Sequence, residues 1–328
     1  MMRHQSWSAM QWRAATGAVA VVCLIGSACA DPTAPSPAST LATRTPSTDR
    51  QTPMFEYETI DVSGAVSTNP QGINANGDIS GWYTAAGRTH GFIRQNGVIT
   101  PINYHTADNS FVADNTDARG IGPDGTVVGT YANIGEEASA LHGYRRTPDG
   151  TFQRVHYEGH LYEIPQRILA DGTILGCRHD HDLMGSMRGI AIRGDETSEA
   201  TDIFASMNNG ASPSGHLIVG LYTNMMVTPN RAESYVMDLA SGETMMFIVP
   251  GSVATSAWDV NPRGDIVGVF RDAALAFHGF VRTDAGFTTI DFPGATATRA
   301  FGINARGDVV GTYVVGGVTH GFHATRVR

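Results

Sequence analysis

A unit of 43 to 49 residues recurs six times between residues 57 and 328, and this repetition restricts the chain more than any other feature does. The clearest copies run from Thr288 to Phe322 (TTIDFPGATATRAFGINARGDVVGTYVVGGVTHGF) and from Thr59 to Phe92. A turn glycine marks each copy, at Gly77, Gly125, Gly172, Gly215, Gly264 and Gly307. Repeats of about 40–50 residues that are rich in strand signals point to β-propellers, in which each unit buries its faces against its neighbours.

Each unit divides into four strand-like pieces. The first ends in a GIN triplet (Gly72-Ile73-Asn74, Gly302-Ile303-Asn304), degenerate as Gly120-Ile121-Gly122 and Asp259-Val260-Asn261. A turn of the NARGD or NANGD kind follows, in which the glycine supplies the positive φ. The second piece is an apolar run closed by Gly81, Gly129, Gly176, Gly220, Gly268 or Gly311. A glycine fixed within a strand implies close approach of backbone or an aromatic ring, expected here from a neighbouring blade. The third piece is HGF or HGY, with His90, His142, His278 and His320; the fourth is TIDxPGA, clearest at Ile290–Ala295. Four strands and six copies predict one all-β domain, a six-bladed β-propeller of four-stranded blades over residues 54–328. Its N-terminal strand (Phe55–Val62) is expected to pair with its C-terminal strand (His320–Arg328) and so remove an open edge.

The segments before this domain read differently. Residues 1–30 carry Arg3 and Arg13 ahead of a 12-residue apolar run, Ala14–Ile25, too short to span a bilayer and typical of an export signal. Ala28-Cys29-Ala30 is an A-x-A cleavage site, while Gly26–Cys29 resembles a lipobox that would make Cys29 the lipidated first residue. Residues 31–53 form a Pro/Ser/Thr-rich tether that cannot bury a core. The expectation is therefore an exported protein, secreted or held at the cell envelope, touching a membrane only through a lipid anchor. With Cys23 and Cys29 in the leader, Cys177 is the only other cysteine, so no disulfide is expected within the domain.

Composition excludes some chemistry. The chain contains no lysine and has a net charge of −9. No Schiff-base or P-loop lysine is available, and the acidic balance argues against a nucleic-acid partner. Gly120–Gly125 satisfies G-x-G-x-x-G, but it links two strands and opens no helix that could hold a pyrophosphate.

The repeat wording resembles the HAF-type bacterial extracellular repeat family across nearly all of residues 57–328, with the copies around Gly172 and Gly215 degenerate. The resemblance implies an exported repeat protein and brings no catalytic residues.

Residues shared between repeats are expected to be structural. The recurrent histidines should bridge strands through a ring nitrogen, Asp61 and Asp291 should be structural too, and Asp78, Asp265 and Asp308 should bond turn backbone. What differs between repeats is more specific: the second-to-third connections are long in the middle three, at Tyr131–Leu141, Cys177–Met187 and Tyr222–Glu233. Loops on a rigid scaffold carry function. Candidate ligand contacts there are Glu136, Glu137, Arg178 and Arg231. His179, Asp180, His181 and Asp182 alternate imidazole with carboxylate and make a candidate divalent-metal site; no other cofactor is expected. The resulting reading is a monomeric, non-catalytic binding module for an extracellular polysaccharide or surface protein. A metal-assisted extracellular hydrolase or lyase and a purely structural surface module are the alternatives.

Overall fold

Strand after strand pairs with its neighbour in sequence, as a chain of short hairpins must. The computed structural model describes residues 54–194, 196–199 and 201–327. The leader, the tether and Cys29 lie outside the described residues. Strand β1 (Met54–Ile60) is followed by β2 (Ser67–Ile73), β3 (Ile79–Ala85), β4 (Arg88–Gln95) and β5 (Val98–Ile102). Next come β6 (Asn115–Ile121), β7 (Val127–Ala132), β8 (His142–Arg146) and β9 (Phe152–Val155). The third group is β10 (Tyr162–Ile168), β11 (Ile174–His179), the short helix α1 (Leu183–Ser186), β12 (Arg188–Arg193) and β13 (Glu196–Glu199). Then follow β14 (Ser206–Ala211), β15 (Leu217–Asn224), β16 (Arg231–Asp238) and β17 (Glu243–Phe247), and β18 (Ala254–Val260), β19 (Ile266–Arg271), β20 (Phe277–Thr283) and β21 (Gly286–Ile290). The last are β22 (Ala297–Ile303), β23 (Val309–Val315) and β24 (Val318–Val327).

The fold is an all-β propeller. The first strands of the repeats pack side by side in sequence, β2 on β6 and onward to β22, and β22 packs back on β2. The sequence predicts six separate blades. Among the described residues there are instead four separate four-stranded sheets and one of eight strands, ordered β22-β23-β24-β2-β3-β4-β5 with β1 on β24. The cause is local. β1 stops at Ile60, opposite Gly321, and leaves Thr319 of β24 without a neighbour on that side. Ser67 of β2 takes that place in a parallel bridge, which fuses the first and last repeats into one sheet.

Pairing of the N-terminal strand with the C-terminal strand is present from Met54↔Val327 to Ile60↔Gly321, stopping short of Asp61 and Val62. The closure is also apolar: Tyr57 meets Phe292 at 5.3 Å and Phe322 at 5.9 Å, both edge-on. Cores form between consecutive sheets, as where Val267 and Val281 pack with Ile303, Val309 and Phe322.

Two expectations about recurrent residues need correction. The second-strand glycines make room for their own sheet, not for a neighbouring one. A Cβ at Gly81 would lie 2.5 Å from the Asn69 carbonyl on β2 and 2.7 Å from the Phe92 ring on β4. The aspartates Asp78, Asp265 and Asp308 accept hydrogen bonds from side chains, with Asn74, Asn261 and Asn304 donating at 3.0–3.1 Å. The turn backbone is held by the asparagine instead: Asn74 Oδ1 accepts from the N–H groups of Asn76 and Asp78. Three of the four recurrent histidines bridge as expected, while His142 has no partner at Nδ1 among the described residues and faces the loop residue Glu136 through Nε2. Nδ1 of His320 lies 2.8 Å from Asp61, His278 3.0 Å from Asp291, and His90 2.8 Å from Asn103.

Candidate functional site

On the face that carries the second-to-third connections, the second and third repeats meet in a seam of rings and carboxylates. Antiparallel register builds it. Tyr131 at the end of β7 sits opposite His142 at the start of β8, and Tyr162 opening β10 sits opposite His179 closing β11. Cross-strand pairs of this kind bring rings into contact on one sheet face. Tyr104, from the connection before β6, stacks on Tyr131 with centroids 3.9 Å apart and planes 4° apart. Tyr131 meets His142 at 5.0 Å, and His142 meets Tyr162 at 5.6 Å across the two sheets. Tyr162 in turn lies 5.5 Å from His179 and 6.2 Å from His181.

The seam's polar rim comes from the loop after β7. Glu137 accepts a 2.6 Å hydrogen bond from the Tyr162 hydroxyl and stands 2.5 Å from His181 Nδ1. The Tyr162 hydrogen bond is the main cause, with His181 adding to it, that holds Glu137 below its ordinary value. The same bond pushes Tyr162 up to about 12. Burial acts to raise Glu136, but hydrogen bonds from the Asn133 N–H and His142 outweigh it and leave that carboxyl lowered as well. Both glutamates are therefore carboxylates at neutral pH. Exposed Ile134 and Leu161 (70% and 42%) flank the seam.

The proposed metal donors do not converge. His179 is fully buried, and its Nε2 donates to the Ser139 carbonyl at 2.8 Å. A carbonyl can only accept, so Nε2 carries the proton; Nδ1 is buried without a hydrogen-bond partner. Burial holds this imidazole below its ordinary pKa. His181 points outward to Glu137, with 71% of its side chain exposed. Asp180 accepts from the Leu161 N–H at 3.0 Å and faces His160 at 3.1 Å. Asp182 starts α1, accepting from the Gly185 N–H at 3.0 Å. Among the described residues no three His, Cys, Asp or Glu side chains are grouped to hold a metal ion. Strand alternation explains the failure: the run His179–Asp182 leaves the sheet at its second residue, and its four side chains go to four different partners.

Of the ligand-face candidates, Glu136 and Glu137 lie in the seam. Arg178 turns back beneath the loop, donating to the Ser186 carbonyl. Arg231 stands on another sheet, pairing with Glu233 at 2.7 Å. The third long connection is shorter than the sequence implies, because β15 and β16 continue to Asn224 and Arg231. Tyr104, Tyr131 and Tyr162 were not singled out from sequence. Their signal is an aromatic at a strand end or within two residues of one, visible only once the register is known.

No family model matches the chain, and no curated protein matches it. Among solved structures it is similar to TolB from Acinetobacter baumannii (12% identity, TM-score 0.48), over 79% of this chain and 54% of that one. It thus spans about half the length of that protein. It is also similar to the β-propeller domain of the Trilobed protease from Pyrococcus furiosus (10% identity, TM-score 0.49), over 79% of this chain and 94% of that one. The PQQ-bound aldose sugar dehydrogenase from Streptomyces coelicolor is similar at 9% identity and TM-score 0.46, over 84% of this chain and 100% of that one. The propeller assignment itself rests on the strand pairing described above.

Proposed function

We propose that the chain is an exported propeller of six repeat units, with the eight-stranded sheet counted as two, acting as a non-catalytic binding module for a polysaccharide or a protein. Cys29 is the anchor point, and the tether of residues 31–53 holds the domain away from the membrane. The observation that carries the binding reading is the Tyr104–Tyr131–His142–Tyr162 ring ladder, which ends at an exposed Tyr162–Glu137–His181 rim between apolar Ile134 and Leu161. Aromatic faces beside fixed hydrogen-bonding tips suit binding surfaces that are apolar at one end and wet at the other. The hydrolase or lyase reading gains no support from the same residues. General acid–base work favours a group with a pKa near the operating pH, and Glu136 and Glu137 are both shifted down, away from it.

The test is affinity electrophoresis and calorimetry of the full chain against neutral and acidic polysaccharides and against envelope protein fractions, repeated with Tyr162→Ala and His181→Ala. Binding that weakens in both variants, without turnover of the bound polymer, supports the reading. Binding indifferent to both, or turnover abolished by either, rejects it. For the anchor, Cys29→Ser should move the chain from the membrane fraction to the soluble fraction; no change would exclude lipidation there.

A further inference from the structure

Away from the seam, between the fifth and sixth repeats, two arginines share one aromatic ring. Arg299 on β22 holds its guanidinium carbon 4.0 Å from the Phe277 centroid, and Arg271 at the end of β19 lies 4.9 Å from the same centroid. Arg271 and Phe277 are directly opposed in the β19–β20 register, so their side chains share a face. β22 of the following repeat packs against both strands and brings Arg299 to that face. The arrangement is thus fixed by strands, not by loops.

The charges are unbalanced. Arg271 Nε donates to the Leu275 carbonyl at 3.3 Å, and among the described residues no carboxylate pairs with it. Arg299 makes no hydrogen bond and no ion pair among the described residues, although it is only partly exposed. Burial, with the like charge of Arg271 added, lowers its affinity for the proton. Next to Phe277 on β20, His278 takes Asp291 at 3.0 Å and Asp272 at 3.5 Å, so these two carboxylates are already engaged with it. A guanidinium has five donors, and a partly desolvated one without a protein acceptor gains most from an anion that takes its N–H groups. Stacking on Phe277 presets the fork and reduces the side-chain freedom lost when such an anion arrives.

We propose that Arg299 and Arg271 form an anion site that takes the carboxylate of an acidic ligand, held in bidentate fashion by Arg299 and neutralised further by Arg271. Planarity is the reason for carboxylate: an immobilised guanidinium edge presents two parallel N–H groups that match two carboxylate oxygens. The site is separate from the seam, and either can fail without the other.

The experiment is calorimetry and thermal melting of the full chain with D-glucuronate as probe, D-glucose as its neutral counterpart and inorganic sulfate as a tetrahedral anion. Glucuronate should bind and raise Tm, glucose should do neither, and sulfate should bind less tightly than glucuronate. Arg299→Met keeps the apolar stem over Phe277 and should weaken glucuronate binding by about tenfold or more, and Arg299→Lys should weaken it too, because the fork is lost. Without ligand, Arg299→Met should melt at or above the parent temperature. Equal behaviour of glucuronate and glucose, sulfate binding more tightly than glucuronate, or unchanged affinity in Arg299→Met would overturn the proposal. So would a marked fall in the unliganded Tm of Arg299→Met, which would make Arg299 a structural cation.

Discussion

Arg167 Nε lies 3.4 Å from Asp259 Oδ2, an ion pair that joins β10 to β18 through the middle of the ring. The rest of the guanidinium is equally committed. Its Nη1 donates to the carbonyls of Gln166 and Arg119, and its Nη2 to those of Phe301 and Gln71. Residues of β2, β6, β10, β18 and β22 thus converge on one buried cation, which can only sit near the axis. Both partners stand just after the register shift of their strand, where Gly72, Gly120, Gly210 and Gly302 stand in the others. There a Cβ on Gly120 would fall 3.0 Å from the Arg167 Cα. Glycine is the default because adjacent inner strands nearly touch; the two exceptions are of opposite charge and meet each other.

Breaking this pair from one side should be costly. Asp259→Gly leaves a buried guanidinium without its counter-ion, and about 3–5 kcal/mol of stability should be lost in urea unfolding. Arg167→Gly also orphans the carbonyls it serves and should cost at least as much. Replacing both by glycine restores the repeat's usual residue, so the double variant should fall short of the summed single losses by about 1–3 kcal/mol. Strict additivity would show that the two residues act independently.

Ring closure makes a second expectation. β1 is paired along all seven residues, Ile60 is 3% exposed, and His320 reaches Asp61 at 2.8 Å just beyond the strand. Ile60→Ala should cost about 2–4 kcal/mol through the cavity it leaves. Deleting residues 54–62 should lower the melting temperature far more, because it bares the edge of β24 and uncovers Phe292 and Phe322. A truncated chain that melts with the parent would mean that the ring is held without its N-terminal strand.

The propeller was legible because the information was repeated: the turn glycine recurs six times and HGF or HGY four times, and degenerate copies are read through good ones, whereas the fusion of the first and last repeats into one sheet was not. Closure was legible for the same reason, as Phe55–Val62 has fourth-strand wording and no preceding partner. What the repeat obscured was function. His179–Asp182 draws the eye as a cluster, yet consecutive residues leaving a strand point in different directions. Glu137, Tyr162 and His181 come from three separate segments and are joined only by register. The Arg167–Asp259 pair is visible in sequence as two departures from the GIN glycine, 92 positions apart, but nothing short of the closed ring says that they meet.

Glu163 gives a pH dependence with a definite sign. Its side chain is fully buried, with Oε1 accepting from the Tyr157 N–H at 3.0 Å and lying 2.8 Å from His156 Nδ1. Burial raises its pKa above the ordinary 4.5, against the pull of those partners. A carboxyl raised on folding stabilises most below its unfolded pKa, and that contribution is lost as pH rises through the folded value. Glu163→Gln does not titrate. The stability of the parent relative to this variant should therefore decline from about pH 4 toward pH 7 in urea midpoints. A difference that grows with pH would mean that pairing with His156 dominates over burial.

The seam offers the converse case. Glu137 is lowered chiefly because the Tyr162 hydroxyl donates to it, so removing that donor should return the carboxyl toward 4.5. Tyr162→Phe keeps the ring against His142 and His179 and deletes only the hydroxyl, which makes the comparison clean. In an NMR titration of the Glu137 side chain the midpoint should move upward in Tyr162→Phe. Tyr162→Phe should also leave His181 as the main partner of Glu137, so a further His181→Ala change should raise the midpoint again. An unmoved midpoint in the single variant would show that the hydroxyl does not hold this carboxylate in solution, and the rim would then be too loosely ordered to orient a ligand.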